Sequence, residues 1–304
     1  MFDAAIIGGS YAGLSAGLQL ARARKRILVV DAGRRRNRFA DESHGFLGQD
    51  GRPPELIAQD AKAQLLAYPS VTWVDGEVTD AAGAIDGFNI ATADGSSHDA
   101  RRLVLATGVE DVLPAIPGLK AQWGAGAMTC PYCHGYELNR GKLAVVATGP
   151  MSIHHAIVVS EWGPTTLFLN EAATPDPSEE AELTQRGIAI ETTPIRAVEG
   201  MRGKPVLTLN DGRALAFAGV FVATSVRFAS PVAEQLGCEL TDTPVGKLIK
   251  VDPGQATSVA GVFACGDAAS AMASIALSAG SGAMAGAATH RSLIFPPAIE
   301  RRAA

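Results

Sequence analysis

Residues 8–13 read Gly8-Gly9-Ser10-Tyr11-Ala12-Gly13 and connect an apolar run, Phe2 to Ile7, to a helical run, Leu14 to Ala23. A second apolar run, Arg26 to Val30, follows and ends in Asp31. Strand, glycine-rich turn, helix, strand and acid in this register predict a βαβ unit that binds a dinucleotide. A glycine pattern alone is weak support, so the prediction depends on the order of all five parts.

Each position of this turn has a physical role. Gly8 allows the tight turn, and Gly13 lets the helix approach the strand closely. Backbone N–H groups at the helix start face a diphosphate, and Asp31 can bind the ribose hydroxyls of an adenosine. Ser10 replaces the middle glycine of the pattern but is small enough for a diphosphate to approach. The predicted cofactor contacts here are Gly8, Ser10, Tyr11, Ala12, Gly13, Asp31 and Ala32.

A second motif, Cys130-Pro131-Tyr132-Cys133-His134-Gly135, predicts redox chemistry. Two cysteines at this spacing can close a small disulfide ring, and one thiol of such a pair usually has a lowered pKa. His134 adds a group that titrates near neutral pH and can exchange a proton with a thiol. A half zinc site and a structural disulfide are the alternatives. Zinc is disfavoured because Cys238 and Cys265 lie far apart in the sequence, and we predict no metal site.

A second βαβ pattern begins at Lys142, but its nucleotide chemistry is degraded. A glycine fingerprint is reduced to Ala147-x-Gly149-x-x-Ser152, and no Lys or Arg occurs from Leu143 to Gln185. NADPH carries an additional phosphate of about −1.5 to −2 charge at pH 7, which needs cationic partners. We therefore treat NADPH binding as doubtful. His154 and His155 open the helix of this unit and are predicted to be surface or capping residues, since adjacent helical positions face different ways.

Two further strand ends predict cofactor contacts. Leu103 to Leu105 is followed by Ala106-Thr107-Gly108, and Val262 to Ala264 by Cys265-Gly266-Asp267. An acid at such a turn suits the ribityl hydroxyls of a flavin, and the start of the next helix can stabilise negative charge on a reduced flavin. Cys265 itself is predicted to be buried and inert. The remaining predicted cofactor contacts are Asn37 in a basic loop, His44 in a glycine-punctuated loop, Ala106, Thr107, Gly108, Gly266, Asp267, Ser274 and Ile275.

The length, composition and charge of the chain limit the classes of protein to which it can belong. A chain of 304 residues with 47% hydrophobic and 19% charged residues predicts two globular domains. A net charge of −5 argues against nucleic acid or an anionic membrane as the main partner. Four cysteines favour a reducing cytoplasm, and the sequence shows no signal peptide pattern. Ala268 to Thr289 is free of charge, but its small residues predict a closely packed helix rather than a membrane span.

Taken in this order, the motifs resemble the low-molecular-weight thioredoxin reductase family over nearly the whole chain. The resemblance implies an α/β fold of two Rossmann-like, three-layer domains, non-covalent FAD, a redox disulfide and a homodimer. It implies that the FAD-binding domain is discontinuous (1–113 and 245–304) around an inserted NAD(P)-like domain (114–244) that carries the cysteines. By position, Cys133 would lie nearest the flavin, and Cys130 would exchange with substrate.

Three departures from that family are visible. His134 stands where the family has an acid, the nicotinamide turn is degraded, and Ala273-Ser274 aligns with a usual Arg-Gln pair. The run Cys130 to Glu137 together with the degraded turn resembles the thioredoxin-reductase-like dithiol oxidases of the gliotoxin and holomycin type. That resemblance implies oxidation of a substrate dithiol by FAD without NADPH.

Other functions are open at this point. An NADPH-dependent thioredoxin or small-disulfide reductase is the first alternative, and a reductase supplied with electrons by ferredoxin is the second. A flavin-binding sensor without turnover is an alternative of another class. The partner is predicted to be a small-molecule or protein dithiol or disulfide, and neither its identity nor the electron acceptor follows from the sequence.

Overall fold

The computed structural model of the protein describes residues 1–295. Two compact units make up the chain. Unit 1 comprises Met1–Arg36, Glu55–Glu110 and the chain from Val226 onward, whereas unit 2 comprises Asn37–Pro54 and Asp111–Ser225. The end of the predicted FAD-binding domain, residues 296–304, lies outside the described residues.

Twenty short strands and eight α-helices form the two units. The strands are β1 (Ala4–Ile7), β2 (Ile27–Asp31), β3 (Val71–Asp75), β4 (Val78–Ala84), β5 (Gly87–Thr92), β6 (Ser97–Ala100), β7 (Leu103–Leu105), β8 (Val109–Val112), β9 (Ala127–Met128), β10 (Leu143–Val146), β11 (Thr165–Phe168), β12 (Ala189–Glu191), β13 (Ile195–Glu199), β14 (Val206–Leu209), β15 (Ala214–Ala216), β16 (Gly219–Val222), β17 (Ser225–Phe228), β18 (Leu240–Thr243), β19 (Gly246–Ile249) and β20 (Val262–Ala264) within residues 1–295. The helices of the same range are α1 (Tyr11–Arg22), α2 (Pro54–Leu66), α3 (Leu119–Gln122), α4 (Pro131–His134), α5 (Met151–Val159), α6 (Pro177–Gln185), α7 (Val232–Gln235) and α8 (Ile275–Ile294).

Unit 1 is built on a five-stranded sheet in the order β20-β7-β1-β2-β3, in which all neighbours are parallel. Its central strands are apolar and fully buried because both faces of the sheet are covered. Ala4 and Ile6 pack on the helical side with Leu14 and Leu20 of α1. The opposite face packs against residues of the antiparallel sheet β4-β5-β6, such as Phe88. These three layers confirm the predicted Rossmann-like architecture.

Helices α1 and α8 approach each other unusually closely in unit 1. A side chain at Gly282 would overlap the backbone of Ala12, and one at Gly286 would overlap the backbone of Ala16. The hydroxyl of Ser15 also donates a 2.7 Å hydrogen bond to the carbonyl of Ala279. Close packing on another helix therefore explains the charge-free, small-residue composition of α8. Helix α8 also packs on the parallel sheet, where Ala285 shares a core cluster with Val104 of β7 and Phe263 of β20.

Unit 2 repeats the architecture with a parallel sheet in the order β12-β11-β10-β16-β9. Alternate residues of β10 supply the two faces: Val145 packs with Ile153 of α5, whereas Val146 packs with Leu207 of the antiparallel sheet β13-β14-β15. The segment 37–54 belongs to this unit although residues 55–110 of unit 1 separate it in sequence from the rest. Residues 1–295 contain no helix long and apolar enough to cross a bilayer.

Candidate active site

The first glycine turn of unit 1 lies between β1 and α1 and leaves no room for side chains. Gly8 has a left-handed φ of +103°, and a Cβ there would overlap the carbonyl oxygen of Ala106, just after β7. A Cβ at Gly13 would overlap the carbonyl oxygen of Gly8. The turn after β1 and the turn after β7 are therefore in direct contact, which brings Gly8 and Ala106 together as predicted cofactor residues.

Hydrogen-bond donors lie at the same place. Helix α1 begins at Tyr11, and the side chain of Ser10, its N-cap residue, makes no capping hydrogen bond. The N–H groups at the start of a helix are a common binding site for an anion such as a diphosphate. The N–H of Gly9 donates a 3.0 Å hydrogen bond to Oδ1 of Asp31, at the end of β2. Asp31 is thereby held beside the turn, where the sequence predicted an acid for a ribose.

A second acid, Asp267, follows β20 in a short 3₁₀ helix. Its carboxylate accepts hydrogen bonds from the hydroxyl of Ser278 at 3.2 Å and from the guanidinium of Arg36 at 2.8 Å. Gly266 has a left-handed φ of +71° and packs against Ala12 of α1. The sequence did not identify Arg36 individually, because only the fold brings residues 36 and 267 together.

The start of α8 completes this group of residues. Ser274 caps the helix, its hydroxyl accepting a hydrogen bond from the N–H of Leu277 at 3.1 Å, and Ile275 is the first helical residue. A glycine cradle, the N–H groups of a helix start and two carboxylates, one at the end of β2 and one after β20 of the same sheet, form the donor and acceptor set that a dinucleotide cofactor requires. The residues of unit 1 therefore fit FAD.

Two predicted cofactor residues, Asn37 and His44, lie in unit 2. His44 is largely buried and is surrounded by carboxylates: its Nε2 lies 3.5 Å from Oε1 of Glu137 and 3.6 Å from Oε2 of Glu42, and its Nδ1 lies 3.6 Å from Oδ1 of Asp50. Glu137 belongs to the run that contains the two cysteines. The geometry thus associates His44 with the cysteine motif, a relation that the sequence did not predict.

The cysteine pair lies at the start of a short helix in unit 2. Strand β9 ends at Met128, Cys130 is the N-cap of α4, and Pro131 occupies the first helical position, where a missing N–H costs nothing. Cys130 and Cys133 form a disulfide with their Cα atoms 5.4 Å apart. The N–H of Cys133 also donates a hydrogen bond to the carbonyl of Cys130 at 3.3 Å.

His134 directly follows the disulfide. Burial lowers the pKa of this imidazole below its usual value near 6.5, and the carboxylate of Glu137 partly opposes that effect. The ring is therefore neutral at pH 7 and can accept a proton from a thiol. The two tyrosines of the motif, Tyr132 and Tyr136, are exposed, and Tyr132 packs edge-to-face on Trp162.

The two adjacent histidines of α5 differ in environment. His154 is exposed, as predicted. His155 is not a surface residue: its Nε2 lies 2.9 Å from the carbonyl oxygen of Thr129, the residue before Cys130. Burial lowers the pKa of His155, and the hydrogen bond to Thr129 partly opposes the shift. The expectation of a surface or capping role is therefore wrong for His155.

In the second turn of the nucleotide-binding type, between β10 and α5, polar groups are hydrogen-bonded to other groups of the protein. The N–H of Thr148 donates a 3.0 Å hydrogen bond to the hydroxyl of Ser152, and the hydroxyl of Thr148 donates to the carbonyl of Ala223 at 2.5 Å. One backbone donor that a diphosphate would need is thus already engaged. Pro150, at the N-cap position, provides no side-chain oxygen for α5.

Two arginines of unit 2 are engaged in ion pairs. Arg213 contacts Glu191 at 2.7 Å and Asp211 at 2.6 Å, and its hydrogen bond lowers the pKa of Glu191 to about 2. Arg186, the first cation after Leu143, contacts Glu182 at 3.1 Å. These arginines would have to leave carboxylates before they could bind a phosphate.

Comparison with known proteins agrees with this geometry. The family model described as pyridine nucleotide-disulphide oxidoreductase matches residues 2–285. The chain belongs to this family. Among curated relatives, Thioredoxin reductase tcpT of Claviceps purpurea is 32% identical over 281 residues, which cover 87% of this chain and 86% of the relative. Thioredoxin reductase sirT of Leptosphaeria maculans is 28% identical over 305 residues, covering 94% and 92% of the two chains.

Solved structures agree with the family assignment. An oxidoreductase from Agrobacterium tumefaciens is 51% identical and superposes with a TM-score of 0.94, covering 97% of this chain and 99% of that one. The crystal structure of HlmI is 32% identical with a TM-score of 0.90, covering 96% and 92%. The resemblance to thioredoxin reductases drawn from the motifs is confirmed, and the protein is an FAD-dependent flavoprotein oxidoreductase.

Two other cysteines of this family member lie in the interior. Cys265 is completely buried, which raises the pKa of its thiol to about 12, and burial also raises the pKa of Cys238. Neither thiol ionises readily at neutral pH, which agrees with the inert role predicted for Cys265. Residues 1–295 contain no group of three or more His, Cys, Asp or Glu side chains arranged to hold a metal ion.

Proposed function

We propose that this flavoprotein is a dithiol oxidase that closes a disulfide in its substrate without using NADPH. The observation that carries the proposal is the nicotinamide turn of unit 2, where Thr148 is bonded to Ser152, in the same unit as an intact Cys130–Cys133 pair. Unit 1 would be the FAD-binding domain, with the predicted cofactor residues as its contacts. Unit 2 would be a nicotinamide-type domain that has kept the redox pair.

In the proposed reaction, a substrate thiolate attacks Sγ of Cys130, which breaks the enzyme disulfide and releases Cys133 as a thiolate. The second substrate thiol then attacks the mixed disulfide, so that the product disulfide forms and Cys130 leaves as a thiolate. Two electrons have passed to the cysteine pair, and two protons have left the substrate. Neutral His134 accepts one of these protons, and solvent takes the other.

FAD, when bound, supplies the two-electron acceptor that returns the cysteine pair to the disulfide, with oxygen or another acceptor downstream. The residues of the protein would hold the cofactor and the cysteine pair for this exchange. Asp31, Asp267 and the α1 helix start would hold the cofactor, while the 5.4 Å between the Cα atoms of Cys130 and Cys133 allows the pair to close again as a disulfide.

An anaerobic titration tests the direction of electron flow. Dithiothreitol added to the oxidised holoenzyme should bleach the flavin absorbance completely at about two equivalents, since the disulfide and the flavin each accept two electrons, while micromolar NADPH or NADH should leave it unchanged. Rapid, stoichiometric bleaching by NADPH would refute the oxidase proposal. Bleaching by reduced ferredoxin, with slow reoxidation by oxygen, would favour the ferredoxin-dependent alternative.

A second candidate is an NADPH-dependent disulfide reductase. The names of the curated relatives favour it, since tcpT and sirT are both called thioredoxin reductases. In that case Ser152 would have to release Thr148 when the nucleotide binds. The same NADPH titration separates the two candidates.

The proposal extends to the oligomeric state and the cellular location of the protein. We propose a homodimer located in the cytoplasm. Exposed apolar side chains on α8, Leu277 and Met284, support an association of copies. Analytical ultracentrifugation of the holoenzyme would test it, and a monomer at micromolar concentration would contradict it.

A further inference from the structure

His155 connects the nicotinamide-type helix α5 to the redox segment. A carbonyl oxygen can only accept a hydrogen bond, so the neutral ring of His155 must carry its proton on Nε2 and donate it to Thr129. This leaves Nδ1 without a proton, and that atom is buried with no hydrogen-bond partner among residues 1–295. A buried nitrogen without a partner is costly, which indicates that the bond made by Nε2 has a specific use.

Thr129 is held from two sides. Its hydroxyl donates a 2.6 Å hydrogen bond to the carbonyl of Val222 at the end of β16, and its own carbonyl accepts from His155. The ring of His155 packs edge-to-face on Phe221, with centroids 6.1 Å apart, and Phe221 pairs with Met128 of β9. Strand β9 ends at Met128, two residues before Cys130, so Thr129 is the link between the sheet and the redox pair.

We propose that His155 is a positioning residue for the redox pair: its bond to the Thr129 carbonyl fixes Cys130 where it can close the disulfide with Cys133. The inference rests on the proposed redox role of this pair. Cys130 must keep an extended backbone, with φ of −103° and ψ of 112°, directly before α4 begins. Fixing the preceding peptide group lowers the conformational entropy that ring closure would otherwise lose. The bond therefore favours the closed disulfide over the open dithiol.

The adjacent residue provides a matched control. His154 lies on the same helix and carries the same side chain, but it is exposed. His155→Phe would keep an aromatic ring against Phe221 and remove the donor. His155→Gln would place an amide N–H at a similar reach and restore the donor.

The test is the equilibrium between the Cys130–Cys133 disulfide and the dithiol in the FAD-loaded enzyme. Samples would be equilibrated without oxygen in buffers of reduced and oxidised dithiothreitol, trapped by alkylation, and analysed by mass spectrometry of the peptide that contains both cysteines. In His155→Phe the disulfide should be easier to reduce by about threefold to tenfold, the range of one hydrogen bond. Tenfold corresponds to about 30 mV in the potential of the pair. His155→Gln should stay within about twofold of the wild type, and His154→Gln should not shift.

Several results would overturn the inference. An unchanged equilibrium in His155→Phe, with unfolding like that of the wild type, would show that the bond does not position Cys130. Equal shifts in the Phe and Gln variants would show that the donor is not the cause. If His155→Phe does not fold, His155→Met repeats the comparison with Gln at nearly the same shape. Wild-type cysteines that never titrate would instead refute the proposed function, and this inference with it.

Discussion

The guanidinium Nη1 of Arg36 lies 2.8 Å from Oδ2 of Asp267, although 231 residues separate them in sequence. Both side chains are mostly buried, so solvent screens the pair only in part. Arg36 ends the first segment of unit 1, and Asp267 lies in the last one. The ion pair thus orients the carboxylate that was predicted to bind the ribityl hydroxyls, with Ser278 holding its other oxygen.

Asp267→Asn should weaken FAD binding by about tenfold or more, because a hydrogen bond to a charged group contributes about 1.5–3 kcal/mol. The dissociation constant would be measured from the quenching of FAD fluorescence on addition to the flavin-free protein. Asp80→Asn, on the exposed side of β4, is the control and should bind FAD like the wild type. Equal affinities in Asp267→Asn and the wild type would remove this residue from the cofactor site.

Cys133→Ser should trap a mixed disulfide between Cys130 and a disulfide probe. The first thiolate attack can still occur on an activated disulfide probe such as 5,5′-dithiobis(2-nitrobenzoate) at Cys130, but no second cysteine is present to resolve the adduct. Mass spectrometry of the intact protein should show one stable adduct in Cys133→Ser. If the variant Cys130→Ser traps the adduct more efficiently, the two cysteines have the opposite roles.

The rate of enzyme reduction by a dithiol should fall at acidic pH. Burial depresses the pKa of His134 below 6.5, so the ring is neutral at pH 7 and becomes a cation only as the pH falls through its lowered pKa. His134→Asn should lose this acidic limb and react about a hundredfold more slowly or worse. The rate of reduction would be measured by stopped flow, from the bleaching of the flavin absorbance between about pH 5 and 8. His154→Asn serves as the control, and an unchanged profile in His134→Asn would contradict the acid–base role.

Arg102→Ala should destabilise unit 1 by about 2–4 kcal/mol, the combined effect of a cavity and unpaired polar groups. The side chain of Arg102 is completely buried and donates to the hydroxyl and the carbonyl of Ser292 near the end of α8, and to Asp86. The change in the free energy of unfolding would be measured by chemical denaturation at constant FAD concentration. Arg101 contacts the same Asp86 from a more exposed position, so Arg101→Ala should cost under about 1 kcal/mol. Similar losses in both variants would contradict a special role for Arg102.

His155 should make folding pH-dependent in a defined direction. Its pKa is lowered in the folded state, so below pH 6.5 the unfolded chain binds a proton that the folded chain excludes. The stabilising contribution is complete above pH 6.5 and is lost as the pH falls toward the lowered pKa. Denaturation midpoints of the wild type and His155→Phe should therefore diverge between acidic and neutral pH. Parallel midpoints would show that the pKa of His155 is the same in the folded and the unfolded chain.

The glycine turn between β1 and α1, which we propose to bind FAD, could be predicted from the sequence because its requirements are local and steric. Gly8 and Gly13 are needed where a Cβ would overlap backbone atoms, and the strand and helix flanking them are strongly patterned. The prediction was less accurate for the start of α1: the helix begins at Tyr11, whereas the sequence predicted Leu14. After Tyr11, the first turn consists of Ala12 and Gly13, whose small side chains give little hydrophobic periodicity.

Two of the contacts that the sequence did not predict are set by strand order. Whether His154 or His155 faces the redox segment depends on β16 lying between β10 and β9, which no local pattern encodes. The pairing of Arg36 with Asp267 likewise requires β20 to join the sheet next to β7. The degraded nicotinamide turn could be seen in the sequence, but the bond between Thr148 and Ser152 that closes it could not.

The close contact between α1 and α8 has a consequence for biosynthesis. Helix α1 ends at Arg22, while α8 begins only at Ile275. A ribosome adds about 5–20 residues per second, so the nascent chain waits on the order of ten seconds or longer for the glycines that cover Ala12 and Ala16. During translation the small-residue face of α1 therefore stays open, and the residues that would hold the flavin are assembled only when nearly the whole chain has left the ribosome.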